Sequence, residues 1–200
     1  MSSQMGADTG LRDGCTDGEA IAASLHEPAR FAAVFDRHFA EISAHLTRRV
    51  DQGLAEELAS ETFVRAFAAR SAYDLAYPDA RPWLYGIATN LLRRHARSEE
   101  RRRRAYARVL ERDELPAGVE TVAERIDAHA DARVVAEALS RLSPVDRDTL
   151  LLLALTDLGY EGIALATGVP VGTVRSRLHR VRRHLQAALS PEAIDHRSRT

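Results

Sequence analysis

Residues 160–185 read YEGIALATGVPVGTVRSRLHRVRRHL, two short helical stretches around a tight turn, the second loaded with arginine. Ala164 is small enough to let two helix backbones approach. Gly168, four residues on, can adopt the left-handed conformation that ends the first helix. Pro170 then sets the backbone for the first turn of another helix. In that second helix Val174, Leu178, Val181 and Leu185 recur at helical spacing and mark the buried side. Ser176, His179, Arg180 and Arg183 point the other way, flanked by Arg175 and Arg177. A helix anchored on one side and cationic on the other fits a DNA major groove, so the stretch reads as a helix-turn-helix.

Working outward, the chain of 200 residues carries a formal net charge of −1, but its charge is unevenly placed. Positive side chains gather at Arg93–Arg104 and Arg175–Arg183, acidic ones in the N-terminal tail and from Glu111 to Asp131. No apolar run has the length of a membrane span: Leu150–Leu155 is short and bracketed by Asp148 and Asp157. With no basic-then-apolar leader, the expected location is the cytoplasm. Cys15 stands alone, which excludes an internal disulfide and argues against a thiolate metal site; it reads as a plain free thiol.

Helical patterning dominates from Glu19 onward, and the expected class is all-α: two small helical domains joined by an acidic linker. The expected boundaries are a disordered tail over 1–18, a first domain over 19–100, a linker over 101–131, a helix-turn-helix domain over 132–190 and a polar tail over 191–200. Ser71–Arg81 breaks the pattern and reads as a loop. Ser143-Pro144-Val145-Asp146 is a helix start, with a serine cap, a proline at the first position and an acid placed to complete a capping box.

Two faces of the first domain stand out. On a helix over Leu54–Ala69, Leu54, Leu58, Ala59, Phe63 and Phe67 fill the apolar side, while Glu57 and Glu61 lie opposite, with Glu56 at the border. That acidic face is either solvated or the dock for a basic partner. On a helix over Trp83–Arg97, Leu84, Ile87, Ala88, Leu91 and His95 form the apolar side. Trp83, Gly86, Asn90, Arg93 and Arg97 lie outward, flanked by Thr89 and Arg94. An amide and several arginines on one surface suit single-stranded nucleic acid, with bases stacked or hydrogen-bonded and phosphates held. Trp83 by itself fits packing between helices at least as well.

Taken in order, LAEELASETFVRAF, PWLYGIATNLLRRHAR and SPVDRDTLLLL…YEGIALATGVPVGTVRSRLHRVRRHL resemble the extracytoplasmic-function (ECF) group of bacterial RNA polymerase sigma factors, of the sigma-70 superfamily. The resemblance spans Glu19 to Leu189. It implies that the chain binds core RNA polymerase, directs it to promoters and helps open the DNA. It assigns Leu54, Glu57, Leu58, Glu61 and Phe63 to the core-polymerase interface. Asn90 and its neighbouring arginines Arg93, Arg94 and Arg97, with Trp83, would meet the melted minus-ten strand, and the Ser71–Arg81 loop would hold a flipped base. Thr173, Arg175, Ser176, Arg177 and Arg180 would contact the minus-thirty-five duplex, joined by His179 and Arg183 on the same face. Many members carry an aspartate where this chain has Arg94, so its minus-ten preference is open. The acidic linker would thread the polymerase cleft and mimic nucleic-acid charge. Two linked domains also leave room for an anti-sigma factor to clamp them, although no residue demonstrates one.

A stand-alone dimeric helix-turn-helix regulator explains residues 160–185 equally well. It leaves the Trp83–Arg97 surface and the Glu57–Glu61 face unexplained, and no dimer seam is evident. There is no phosphate-binding glycine loop and no nucleophile elbow. His38 and His45 share a helix face without a third ligand and read as surface residues. The expectation is a non-enzyme with no cofactor, no metal and no catalytic residue.

Overall fold

A computed structural model describes residues 15–110 and 137–188. The tail over 1–14, the acidic stretch from Glu111 to Asp131, and the C-terminal tail therefore lie outside the described residues. Every regular element among the described residues is helical. Helix α1 is Asp17–Ser24, and a 3-10 turn, Pro28–Phe31, leads into α2, Ala32–Thr47. Then come α3, Gln52–Ala69, a 3-10 turn at Arg70–Ala72, and α4, Arg81–Leu110. The second unit opens with a helical turn at 137–140 and continues with α5, Pro144–Leu155, α6, Tyr160–Thr167, and α7, Val171–Ala188. None of these helices is long and apolar enough to cross a membrane.

In the first unit α1, α2, α3 and α4 pack successively, and the helix faces follow from spacing. On α2 the buried positions are Val34, His38, Ile42, His45 and Leu46, steps of three and four that define one stripe. Ile21, Ile42, Leu46, Ala59, Leu84 and Ala88 are wholly or nearly inaccessible to solvent. Full burial of an isoleucine or leucine side chain contributes roughly 1.5–3 kcal/mol, so this stripe supplies much of what holds the unit together. Phe35, Phe39 and Phe63 add an aromatic cluster, with Phe35 and Phe39 stacked at 4.7 Å and Phe63 edge-on to Phe35 at 5.0 Å.

Helix starts are chemically explicit. Asp51 caps α3 by accepting from the Leu54 amide at 3.0 Å. Thr16 caps α1 through a full capping box in which Glu19 reaches back to the Thr16 amide at 2.7 Å. The polar tail expected through Gly18 therefore ends earlier, because Asp17 and Gly18 are buried inside the first helical turn. Helix α4 runs unbroken past residue 100 to Leu110. Ser143 caps α5 as its sequence indicates, accepting from the Asp146 amide at 3.2 Å. The Asp146 carboxylate turns instead to Arg180, at 3.2 Å.

The second unit is a helix-turn-helix braced by α5. Gly168 ends α6 at φ 65°, ψ 34°, the left-handed conformation its sequence position required. The Val169 amide closes the turn on the Ala164 carbonyl at 3.0 Å. Val174 and Val181 turn inward on α7 while Leu178 and Leu185 are half-buried, the stripe that helical spacing placed there.

The two units touch, which no local pattern announced. Helix α4 packs along α6 over a seam where Gly86 faces the Ala166 backbone. A Cβ at Gly86 would sit 2.7 Å from the Ala166 carbonyl oxygen, so only glycine admits this approach. At Gly162 of α6 a Cβ would stand 3.1 Å from the Leu158 side chain and 3.6 Å from the Pro82 ring of α4.

Candidate nucleic-acid interfaces

Helix α7 offers the clearest surface. Arg175, Ser176, His179, Arg180 and Arg183 are exposed, and Thr173 and Arg177 are half-buried at its edges. Opposite them Val174 and Val181 lock the helix to its neighbours, so the cationic face is presented rigidly. Ser176 donates to the Thr173 carbonyl at 2.9 Å. Arg180 is steered by Asp146, a nearly buried carboxylate on α5 that sequence reading had assigned to capping. A major-groove helix of this kind combines phosphate contacts, which set register, with contacts to base edges.

The α4 surface is divided. Asn90, Arg94 and Arg97 are exposed, as expected for a strand-binding face. Gly86, expected outward, is covered by α6. Arg93 is half-buried and turned to Asp148 of α5. Asp148, 4% exposed at its side chain, also accepts from Arg49 at the end of α2, so one carboxylate sits between two guanidiniums. Trp83 is half-buried and tilted against Tyr73 at 4.9 Å, so it packs between elements rather than standing free.

The loop before α4 is held from several sides. The Tyr73 hydroxyl donates to the carbonyls of Tyr77 and Asp79 at 2.7 and 3.2 Å, and burial raises its pKa to about 12. Asp79 accepts from the Arg81 amide and guanidinium at 2.9 and 3.0 Å. Asp17 reaches in from α1 to accept from the Ala80 amide at 2.9 Å, while binding His38 Nε2 at 2.8 Å and Arg37 at 2.9 Å. Burial alone would raise the Asp17 pKa, but the bonds from His38, Ala80 and Arg37 prevail and lower it to about 2. A loop so tethered keeps Leu75 and Tyr77 exposed on a fixed backbone.

The two histidines expected at the surface are inside. His38 is the partner of Asp17, and His45 lies edge-on to Tyr85 at 5.0 Å. Burial lowers the His45 pKa to about 4, aided by the charges of Arg49 and Arg48 and opposed by that of Asp148, so the ring is neutral near pH 7. No group of described residues forms a metal-ligand cluster.

On α3, Glu57 is exposed and Leu54 half-buried, so both are available to a partner. Leu58 and Phe63 are 7% and 4% exposed and belong to the core. They shape the face from beneath. Glu61 is paired with Arg65 one turn on, at 2.6 Å, which offsets its repulsion with Glu57.

Comparisons with known proteins identify the family. The Sigma-70 region 2 family matches residues 34–102, and the Sigma-70, region 4 family matches residues 132–185. The probable RNA polymerase sigma-C factor of Mycobacterium bovis is 34% identical over 149 residues, covering 72% of this chain and 75% of that protein. The ECF RNA polymerase sigma factor SigL of Mycobacterium tuberculosis is 29% identical over 170 residues, covering 84% and 93%. Among solved structures, CnrH in complex with the cytosolic domain of CnrY superposes with a TM-score of 0.57 at 23% identity, over 86% of this chain and 96% of that one. The sigma factor RpoE in complex with the anti-sigma factor NepR from Bartonella quintana gives 0.51 at 22% identity, over 80% and 96%. At those identities the structural likeness speaks for the fold, a region 2 and a region 4 in one helical chain. Sequence and fold together make this chain a member of the sigma-70 family of RNA polymerase sigma factors, in its ECF group, whose work is to direct core polymerase to promoters.

Proposed function

We propose that three surfaces divide the labour of promoter recognition in this chain. The α3 face around Leu54 and Glu57 docks on core polymerase, with Leu58 and Phe63 fixing its shape from the core and Glu61 at its edge. Helix α7 reads the upstream duplex. Arg175 and Arg177 hold phosphates, Ser176, His179 and Arg180 lie near base edges, and Thr173 and Arg183 flank them. The exposed Asn90, Arg94 and Arg97 of α4, with Arg93 once it is released, take the melted strand beside the 71–81 loop. Polymerase supplies the chemistry, and the chain works in the cytoplasm where that enzyme and the chromosome are.

The observation that carries this reading is the α7 face, exposed and cationic on one side and pinned by Val174 and Val181 on the other. A stand-alone regulator would share that face but would have no use for Asn90, Arg94 and Arg97 beside a rigid loop. The NepR complex also suggests that an anti-sigma protein can grip such a two-region chain.

Run-off transcription with purified core polymerase on a promoter library is the test. Arg180→Ala is expected to weaken promoter binding by about 1–3 kcal/mol if Arg180 reads a base; a phosphate role would instead lower the salt slope by about 1. Promoter selectivity equal to wild type in that variant removes Arg180 from the recognition set. Glu57→Arg is expected to abolish co-purification with core while leaving the helical content intact. Retained co-purification refutes the α3 assignment.

A further inference from the structure

We infer that Asp17 and Gly18, in the first turn of α1, are positioning residues for strand capture: they clamp the 77–80 backbone of the loop before α4, so that Leu75 and Tyr77 meet an unstacked base in one fixed geometry. This rests on the reading, given above, that the melted strand lies beside the 71–81 loop. Helix α1, Asp17–Ser24, lies outside residues 34–102, the span that the region 2 family matches.

The clamp works on backbone groups. The first amides of a helix have no partner within it. Those of Asp17 and Gly18 both donate to the Pro78 carbonyl, at 3.0 and 3.4 Å. The Asp17 carboxylate extends the grip, its Oδ2 accepting from the Ala80 amide at 2.9 Å. From within the loop the Tyr73 hydroxyl takes the carbonyls on either side of Pro78, those of Tyr77 and Asp79. Each residue from 77 to 80 thus has a backbone group held from elsewhere. Asp17 is itself immobilised by α2, with His38 Nε2 2.8 Å from Oδ2 and Arg37 donating to Oδ1 at 2.9 Å. The loop is thereby referred to the core of region 2, in which Ile21 of α1 is sealed.

At Gly18 the fit is tight. A Cβ there would stand 3.0 Å from the Tyr77 carbonyl oxygen and 3.5 Å from that of Leu75, the two residues whose side chains stay exposed. A binding constellation has to be held within about 0.5 Å of its productive geometry. Ordering a loose loop at the moment of capture would subtract from binding. A loop fixed beforehand avoids that loss and accepts only a base that fits. The free side chains, one aliphatic and one aromatic, offer such a base packing and stacking surface.

The test uses the full chain with core polymerase and a promoter drawn from the run-off library, built as a duplex with a preformed bubble across its minus-ten element. Each bubble position carries each of the four bases in turn, and run-off yield gives the selectivity. The double variant Leu75→Ala, Tyr77→Ala should erase selectivity at one position, which marks the base held by the loop. At that position Asp17→Ala is expected to lower selectivity about tenfold, a typical cost of one mismatched base. Gly18→Ala should lower it several-fold while the urea midpoint stays at or above wild type, because alanine favours the helix. Asp17→Asn keeps an acceptor for the Ala80 amide but breaks the charge pair with Arg37, so it should lose stability and retain most of the selectivity. Selectivity that falls in step with the urea midpoint across these three variants overturns the clamp and leaves α1 a merely structural part. Selectivity unchanged in both Asp17→Ala and Gly18→Ala overturns it too. If the Leu75, Tyr77 double variant selects bases as wild type does, the loop reading itself is wrong and the clamp falls with it.

Discussion

Region 2 and region 4 solve the problem of stability differently. The region 2 unit wraps four helices around Ile21, Val34, Ile42, Leu46 and Leu84, all at or near zero exposure, and that apolar core continues into the second unit through Leu158, Ile163 and Ala166. The region 4 unit rests mainly on α5, α6 and α7, and among its described large apolar side chains only Leu152, Ile163, Val174 and Val181 are sealed to a comparable degree. Small units bury a smaller fraction of their surface and are correspondingly marginal. Region 4 compensates with polar bracing: Arg147 ties back to the carbonyls of Leu139 and Ser140 at 3.0 and 2.6 Å, and His184 meets the Ala138 carbonyl at 3.1 Å. One region is held by its core, while the other draws as well on bracing and on its neighbour.

The sharpest way to break this contrast is to make the same cavity twice. Ile163→Ala and Ile42→Ala should each cost about 2–5 kcal/mol. In native-state hydrogen exchange the first should release amides of α5, α6 and α7 while α2 and α3 stay protected. The second should lower protection throughout region 2. Equal collapse of both regions by either variant would mean that they share one cooperative core.

Next in size is Asp17, whose removal orphans His38, Arg37 and the Ala80 amide together. Asp17→Ala should destabilise region 2 by about 2–4 kcal/mol in urea denaturation, because buried partners lose their counter-charge. The sign with pH is set by the lowered carboxyl. Its folded pKa of about 2 lies below its ordinary 3.8, so its contribution is complete above 3.8 and disappears as pH falls through about 2. Acid titration of wild type should show that loss, and Asp17→Ala should be flatter over the same range. Parallel curves would refute the role.

The smallest expected effect is Gly168→Ala, which forces a Cβ into the left-handed region. About 1–2 kcal/mol should be lost, confined to region 4. A Tm shift in region 2 as well would show that the seam transmits strain between the units.

Much of this architecture was legible in the sequence because it is local. Gly168, Pro170 and the Val174–Val181 spacing specify the helix-turn-helix within twenty residues, and Ser143-Pro144 announces α5. Long-range polar pairings were not legible. Nothing near Asp148 names Arg49 or Arg93, and nothing near Asp17 names Ala80. His38 and His45 were placed outside because a histidine's partner decides its burial, and those partners come from other helices. Asp17 was placed in a tail because polarity outweighed the Thr16–Glu19 box that starts α1. One signal was present in the sequence: Gly86, a glycine in the second turn of α4, costs about 1 kcal/mol against alanine, and close backbone approach is what justifies it. Leu58 and Phe63 illustrate the remaining limit, since a family's interface motif mixes residues that touch the partner with residues that support them.

The placement of Trp83 has a practical consequence. It is the single tryptophan of the chain, and it sits half-buried beside Tyr73, adjacent to the Pro82 whose ring lies 3.6 Å from where a Cβ on Gly162 would stand across the seam. Its indole emission is therefore a built-in optical gauge of whether the two halves are together, readable in unlabelled protein as it meets polymerase or DNA.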